Sequence, residues 1–298
     1  MIHSYQPRRQ PCSERLTLNH HDYHILRWGD PSAPLLFMLH GWMDCAATFQ
    51  FTVDALDDGW QIIAPDWRGF GDSAWNSDSY YSPDYLADLD ALLQHYSPHA
   101  AANLVGHSMG SMVAGLYAGI RPERVAKLAL VEGFGLPPSR PSEAPGRYGN
   151  WLKEKRQPPA FAPLGGIEEL ASKLVGRNAY LPLPQARFMA TALTRWQADA
   201  LRYRADPRHK MVNPVLYRLE EAMACWRRIT APVLWVVAEE ALGTPMARGI
   251  APTLDERRTC FATLQEVSIA RAGHMVQWEQ PEALAGHLAR FFAYEQLS

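Results

Sequence analysis

The most informative stretch of this chain reads Asn103-Leu104-Val105-Gly106-His107-Ser108-Met109-Gly110-Ser111-Met112-Val113-Ala114-Gly115. A short apolar run leads to Ser108, which stands between Gly106 and Gly110, and a segment of small residues follows. This order predicts a strand, a sharp turn with Ser108 at its apex and then a helix, because glycines avoid a collision where strand and helix meet. Such a turn exposes the serine hydroxyl and directs the N–H of Met109, at the start of the helix, toward a developing oxyanion.

Length and composition indicate an ordinary globular protein. The chain has 298 residues, 47% of them hydrophobic and 20% charged, and a formal net charge of -2. Lysine and arginine form no block, so we expect no nucleic-acid partner. No apolar run follows the first residues, so we expect a cytoplasmic protein without a membrane anchor. The sequence does not indicate the oligomeric state.

The sequence also lacks the usual patterns for metals and cofactors. The four cysteines are widely spaced, which is typical of reduced thiols and not of a disulfide framework. No cluster of histidine, cysteine and aspartate has metal-ligand spacing, and no glycine-rich phosphate loop follows a strand. We therefore expect no metal and no cofactor.

Eight short segments are predicted strands, and helical patterns separate most of them. Residues 35–39 are apolar at every position, which is typical of a central strand covered on both faces. Residues 14–18 and 23–28 alternate in polarity and predict an antiparallel hairpin. Strands that alternate with helices indicate an α/β fold with a mostly parallel, doubly wound sheet. The other predicted strands are residues 61–65, 103–107, 125–131, 232–238 and 266–270.

The composition changes after residue 133. Prolines punctuate segments of helical spacing, notably residues 167–174 and 185–201, and no strand is predicted there. We interpret residues 134–213 as a helical cap, or lid, inserted between residues 1–133 and 214–298 of the sheet domain. Aromatic side chains of the cap either line an apolar substrate pocket or fill the interior of the cap; the pocket candidates are Trp151, Phe161, Phe188 and Trp196.

A serine nucleophile needs a base and two oxyanion donors. Among 11 histidines, His274 follows the last predicted strand, at the sheet edge where functional loops gather, and is our candidate base. His107 and His40 are expected to brace their own loops. The loop that begins at His40 follows a buried strand, so the N–H of Trp42 and the N–H of Met109 are the predicted oxyanion hole.

Four motifs together resemble the α/β-hydrolase superfamily. The resemblance covers essentially the whole chain and implies an α/β-hydrolase fold with an eight-stranded sheet, a nucleophile elbow and a catalytic triad. The segment Asp206-Pro207-Arg208-His209-Lys210 in the cap resembles bacterial members and, more distantly, the serine hydrolase-like proteins of animals. The four motifs are Leu39-His40-Gly41-Trp42-Met43-Asp44, Asp66-Trp67-Arg68-Gly69-Phe70-Gly71-Asp72-Ser73, Gly106-His107-Ser108-Met109-Gly110 and Gly273-His274.

The acid of the triad departs from the commonest pattern of that superfamily. In many relatives an aspartate follows the strand equivalent to residues 233–237, and here that position is Ala241. Glu132, which ends the strand after the serine helix as in some relatives, is our first candidate. Glu240 is the fallback, and Glu239 or no acid at all are the remaining alternatives.

These features predict a cofactor-independent serine hydrolase of carboxylesterase-like type. It would cleave a small to medium apolar ester, thioester or related acyl compound through an acyl-enzyme on Ser108. Within the same machinery, hydrolysis of a carbon–carbon bond and prolyl aminopeptidase-like cleavage are alternatives. A non-catalytic ligand-binding homologue is the alternative from another class, and the missing aspartate favours it.

Overall fold

One eight-stranded β-sheet forms the centre of the computed structural model, which describes residues 4–293. The strand order is β1-β2-β4-β3-β5-β6-β9-β10. Only the β1–β2 and β2–β4 pairs are antiparallel, so the predicted mostly parallel sheet and its first hairpin are confirmed. The strands are β1 (Cys12–Leu18), β2 (His21–Trp28), β3 (Leu35–Leu39), β4 (Gln61–Pro65), β5 (Ala102–His107), β6 (Val125–Val131), β9 (Val233–Ala238) and β10 (Leu264–Ile269).

Helices cover both faces of the sheet, as the apolar strands predict. In β3, Phe37 and Leu39 belong to one buried cluster with α2, α3 and α7, whereas Leu36 and Met38 belong to another with α1 and α11. Alternate side chains of a strand point to opposite faces, so a central strand needs apolar residues throughout. No helix within residues 4–293 has the length and apolar character needed to cross a membrane. The α-helices outside the segment between β6 and β9, together with α7 at the end of that segment, are α1 (Gln50–Ala55), α2 (Ser82–Tyr96), α3 (Met109–Ile120), α7 (Leu219–Trp226), α8 (Pro245–Ile250), α9 (Leu254–Arg258), α10 (Val276–Glu279) and α11 (Pro281–Phe292).

The chain leaves the sheet between β6 and β9, and this segment contains a hairpin as well as helices. The predicted helix over residues 185–201 is wrong beyond Ala192, because the chain then forms two antiparallel strands. Leu193 and Leu201 are both buried, and their spacing of eight residues fits one face of a helix as well as it fits this hairpin. The elements are α4 (Ala144–Arg156), α5 (Ile167–Arg177), α6 (Leu183–Ala192), β7 (Thr194–Gln197) and β8 (Ala200–Tyr203).

Candidate active site

Ser108 lies at the apex of the turn between β5 and α3. Its backbone has φ 51° and ψ -114°, which is a strained conformation for a residue with a side chain. A Cβ on Gly110 would overlap the carbonyl oxygen of Leu39, and a Cβ on Gly106 would overlap the first turn of α3. The two glycines therefore allow strand and helix to approach closely, which positions Ser108 at the sheet edge.

His274 lies in the loop between β10 and α10 and faces Glu132. Its Nδ1 is 3.2 Å from Oε2 of Glu132. The Glu132 side chain is only 9% exposed, and its Oε1 accepts a hydrogen bond of 2.6 Å from the N–H of Ala238. Glu132 directly follows β6 in a left-handed conformation with φ 52°. Because one oxygen is fixed by the backbone, the other is held toward the imidazole.

The alternative acids lie elsewhere. Glu240 is exposed, and its carboxylate accepts a hydrogen bond of 3.3 Å from the Tyr180 hydroxyl. Glu239 is also exposed and accepts one of 3.4 Å from Ser268. Of the three glutamates considered, the structure brings Glu132 to His274.

The predicted oxyanion donors lie in the loop after β3 and at the start of α3, and these two segments approach each other. A Cβ on Gly41 would lie 3.1 Å from Cβ of Ser108, so the loop after β3 lies against the nucleophile. Neither the N–H of Trp42 nor that of Met109 donates to an atom within residues 4–293. The indole of Trp42 donates a 3.2 Å hydrogen bond to the carbonyl of His209, which holds this loop to the segment after β8.

A buried polar network supports the histidine loop, and the sequence did not reveal it. The Nε2 of His107 lies 2.8 Å from the carbonyl oxygen of His274, and the amide nitrogen of Gln277 lies 3.2 Å from Nδ1 of His107. The same amide donates to Thr48, which also accepts from the indole of Trp278. Burial lowers the pKa of His107 to about 3, so the ring is neutral at pH 7. This pattern assigns the proton of His107 to Nε2, with Nδ1 as an acceptor.

Glu279 holds the other side of the same loop. It is buried, and one of its oxygens accepts a 2.5 Å hydrogen bond from the N–H of Gly273. The other oxygen accepts from the N–H of Tyr180 in the linker after α5. Glu279 thereby links the residue before His274 to the linker after α5.

His40 braces its own loop, as the sequence predicted. Its Nδ1 lies 2.7 Å from the carbonyl oxygen of Gly41, and its Nε2 accepts from the N–H of Trp67. Burial lowers the pKa of His40 to about 4. Throughout the described residues, no three histidine, cysteine, aspartate or glutamate side chains are grouped so that they could hold a metal ion.

Ser108, His274 and Glu132 line one cavity of about 440 Å³. The remainder of its wall is largely apolar and comes from α3, the segment directly after β6, β9 and the helices that follow β9. Such a cavity has the size and character of a small-molecule site. Its apolar lining includes Met112, Phe134, Trp235, Leu242, Met246 and Ile250.

The four predicted pocket aromatics do not line this cavity, so that prediction needs correction. Phe188 packs against Phe51 and Phe161 against Tyr203, while Trp196 is 66% exposed. Trp151 lines a second cavity. The composition of a segment does not say which face each ring takes, and most rings here fill the interior or remain exposed.

Comparison with known proteins gives concordant matches. The family model described as alpha/beta hydrolase fold matches residues 34–281. The serine hydrolase-like protein of Danio rerio is 22% identical over 282 residues, which is 89% of this chain and 83% of that protein. Esterase Rv0045c of Mycobacterium tuberculosis is 37% identical over 36% of this chain and 35% of that protein. The thioesterase domain from the curacin biosynthetic pathway superposes with a TM-score of 0.80 at 23% identity, over 94% of this chain and 99% of that domain.

Proposed function

The chain belongs to the α/β-hydrolase family, and we propose that it is a cofactor-independent serine hydrolase acting on small to medium apolar esters, thioesters or related acyl compounds. One observation carries this proposal: the Glu132–His274 pair shares a cavity with a serine held in a strained turn. The names of the serine hydrolase-like and esterase relatives are in keeping with it. Residues 134–213 are proposed as the lid of this enzyme.

In the first half-reaction, Ser108 attacks the substrate carbonyl carbon while His274 removes the proton from Oγ. Glu132 accepts from Nδ1 of His274, which directs Nε2 toward the serine and stabilises the imidazolium that forms. When the tetrahedral intermediate collapses, the bond to the leaving group breaks and His274 returns the proton to that group. An ester of Ser108 with the acyl group results.

The negative charge on the carbonyl oxygen needs donors at that moment. The N–H groups of Trp42 and Met109, which have no acceptor in the described part of the chain, fill this role. Met109 begins α3, so the positive end of the helix dipole adds to the stabilisation. Losing one such donor typically lowers turnover by about 100- to 1,000-fold.

In the second half-reaction, water replaces the leaving group. His274 removes a proton from the water as it attacks the acyl carbon, and the proton then passes to Oγ of Ser108. The acid product and the free enzyme are formed. The apolar wall of the 440 Å³ cavity favours a hydrocarbon portion in the substrate.

Labelling with an alkyl fluorophosphonate tests the proposal. An activated serine displaces fluoride and retains the phosphonyl group, which intact-mass spectrometry detects as one adduct. We expect one adduct on the wild type and on Ser268→Ala, whose serine lies on β10, and none on Ser108→Ala. Absence of labelling of the folded wild type would contradict the proposal and favour a non-catalytic binding protein.

A further inference from the structure

The 440 Å³ cavity that contains Ser108 carries one charged side chain that the proposed mechanism does not use. This side chain is Arg248, which belongs to α8. Apart from Arg248, Glu132 and His274, every residue that lines the cavity is uncharged. A single cation beside an otherwise apolar wall allows the cavity to distinguish ligands by their charge as well as by their shape.

The guanidinium of Arg248 lies at the rim of the cavity. Its Nη1 donates a hydrogen bond of 2.8 Å to the carbonyl oxygen of Gly243. The two neighbours of that glycine, Leu242 and Thr244, both line the cavity, so the hydrogen bond holds the guanidinium against this part of the wall. Arg248 is also exposed. A ligand that occupies the cavity and extends to its opening can therefore reach the guanidinium.

Most of the hydrogen-bonding capacity of Arg248 is unused. A guanidinium has five N–H groups, and only the one bonded to Gly243 has an acceptor in the described part of the chain. The acidic residues nearest to Arg248 in sequence on the same side of the site are Glu239 and Glu240, and they accept hydrogen bonds from Ser268 and Tyr180. Within this part of the chain, no carboxylate balances the charge of Arg248.

The chemistry of the cavity favours a carboxylate as the partner of Arg248. A planar carboxylate matches the fork of N–H donors that a guanidinium presents. Glu132 lines the same cavity and is negatively charged when it pairs with His274, so a doubly charged phosphate would be repelled more strongly than a carboxylate. At the exposed rim a carboxylate also keeps part of its hydration, which lowers the cost of binding a charge beside apolar side chains.

We propose that the substrate carries a carboxylate at the far end of its hydrocarbon portion, and that Arg248 binds this carboxylate at the rim of the cavity. The hydrocarbon portion lies along the apolar wall between Ser108 and Arg248. This inference rests on the proposed serine hydrolase function and extends it to a substrate class: acyl compounds with an apolar chain that ends in a carboxylate.

Pairs of p-nitrophenyl esters that differ only at the far end of the acyl chain test the inference. One member is the mono-p-nitrophenyl ester of adipic, suberic or sebacic acid, and the other has a primary carboxamide in place of the free carboxylate. The two end groups have nearly the same size, so each pair isolates the charge, and the three chain lengths span different distances from Ser108. Butyrates of the corresponding ω-hydroxy acids and of their amides cover the opposite orientation of the substrate.

At neutral pH and low salt, the wild type should prefer the carboxylate member of at least one pair by about 3- to 10-fold in kcat/KM. This range lies between the contribution of an exposed ion pair and that of a charge-assisted hydrogen bond. Arg248→Gln should remove the preference, because glutamine keeps hydrogen-bond donors but has no charge. Arg248→Lys should retain part of it. Arg290→Gln is the matched control, since Arg290 is exposed on α11 and lines neither cavity, and it should retain the full preference.

The dependence on salt gives a second readout. Mobile ions screen an exposed ion pair, and the Debye length falls from about 30 Å at 0.01 M to about 3 Å at 1 M ionic strength. The preference of the wild type for the carboxylate should therefore fall toward unity as sodium chloride is raised through this range. A preference that does not change with salt would show that Arg248 does not recognise the charge.

The outcomes separate this inference from the proposed function. Hydrolysis without a carboxylate preference in any pair, or a preference that survives Arg248→Gln, would overturn the inference and leave the serine hydrolase standing. Absence of both hydrolysis and phosphonate labelling would contradict the proposed function itself. Calorimetric titration of Ser108→Ala with both members of each pair then decides the inference without turnover. Tighter binding of the carboxylate member that is lost on adding Arg248→Gln would support it, and equal binding of the two members would overturn it.

Discussion

The Nδ1 atom of His274 lies 3.2 Å from Oε2 of Glu132, a carboxylate that directly follows β6. The resemblance to α/β-hydrolases led us to expect this acid after β9, where this chain has Ala241, a buried residue without a charge. Parallel strands end at the same edge of the sheet, and β6 pairs with β9, so either strand can deliver a carboxylate to the same imidazole. The missing aspartate is therefore no argument against catalysis here.

Glu132→Gln should lower kcat by about 1,000- to 10,000-fold. The glutamine oxygen can still accept from Ala238, so the fold should persist, but the amide nitrogen would face His274 and favour the wrong tautomer. Glu240→Gln is the matched control and should change kcat less than about twofold, as for an exposed surface group. Steady-state hydrolysis of p-nitrophenyl butyrate measures both, and equal mild losses would rule out Glu132 as the acid.

Gln277→Leu should lower kcat by about 10- to 100-fold with little change in KM. The substitution deprives His107 Nδ1 of its donor and loosens the ring that holds the His274 carbonyl. Gln50→Leu removes another buried glutamine, which bonds to Trp28 and Asp54 away from the site. If both variants lose a similar amount of stability but kcat falls only in Gln277→Leu, Gln277 positions His274. Equal kcat values for the two variants would contradict this role.

The difference in unfolding free energy between Asp44→Asn and the wild type should shift in favour of the variant as the pH rises. Burial raises the pKa of Asp44 from 3.8 to about 7 in the folded protein. At pH values between 3.8 and 7, the folded protein therefore keeps a proton on Asp44 that the unfolded chain has lost. Wild-type stability therefore falls through this range, and the loss is complete above pH 7. Asparagine does not titrate, so its advantage at pH 8 over pH 4 should be about 2 to 4 kcal/mol.

Urea unfolding at both pH values measures the effect of Asp44→Asn. Asp58→Asn is the control, because this side chain is 94% exposed and its removal should change stability equally at the two pH values. An advantage of Asp44→Asn that does not change with pH would show that Asp44 is ionised in the folded protein throughout.

Gly110→Ala should destabilise the protein by more than about 3 kcal/mol or prevent folding, because the new Cβ would overlap the carbonyl oxygen of Leu39 on β3. Gly176→Ala has the opposite expectation. This residue lies in α5 with no atom close to its added Cβ, so alanine should raise stability by about 0.5–1 kcal/mol. Thermal unfolding of the two variants is the measurement, and a stable Gly110→Ala would contradict the close strand–helix contact.

The sheet and two of the site residues were predictable because their signals are local. Residues 35–39 are apolar on both faces, which only a covered central strand needs, and the glycines around Ser108 mark the sharp turn. His274 was predictable as the base because it lies just after the last predicted strand. In each case one short window of sequence contains the whole physical reason.

The rest depends on contacts between distant residues. Gln277 and His107 are 170 positions apart, so no window contains the network that joins them. The choice of Glu132 over Glu240 rests on a left-handed backbone at Glu132, and glutamate has no intrinsic preference for that conformation. Phe188 turns toward Phe51 instead of the cavity, and spacing alone does not determine that orientation.

Rapid-quench hydrolysis of p-nitrophenyl butyrate by the wild type and by Ser108→Ala tests the central claim most directly. The account predicts that the wild type forms a butyryl adduct on Ser108, detected by mass spectrometry of the quenched enzyme, together with release of p-nitrophenol. Ser108→Ala should form no adduct and lose turnover by about a million-fold. Hydrolysis by folded Ser108→Ala at a rate near that of the wild type would contradict covalent catalysis by this serine.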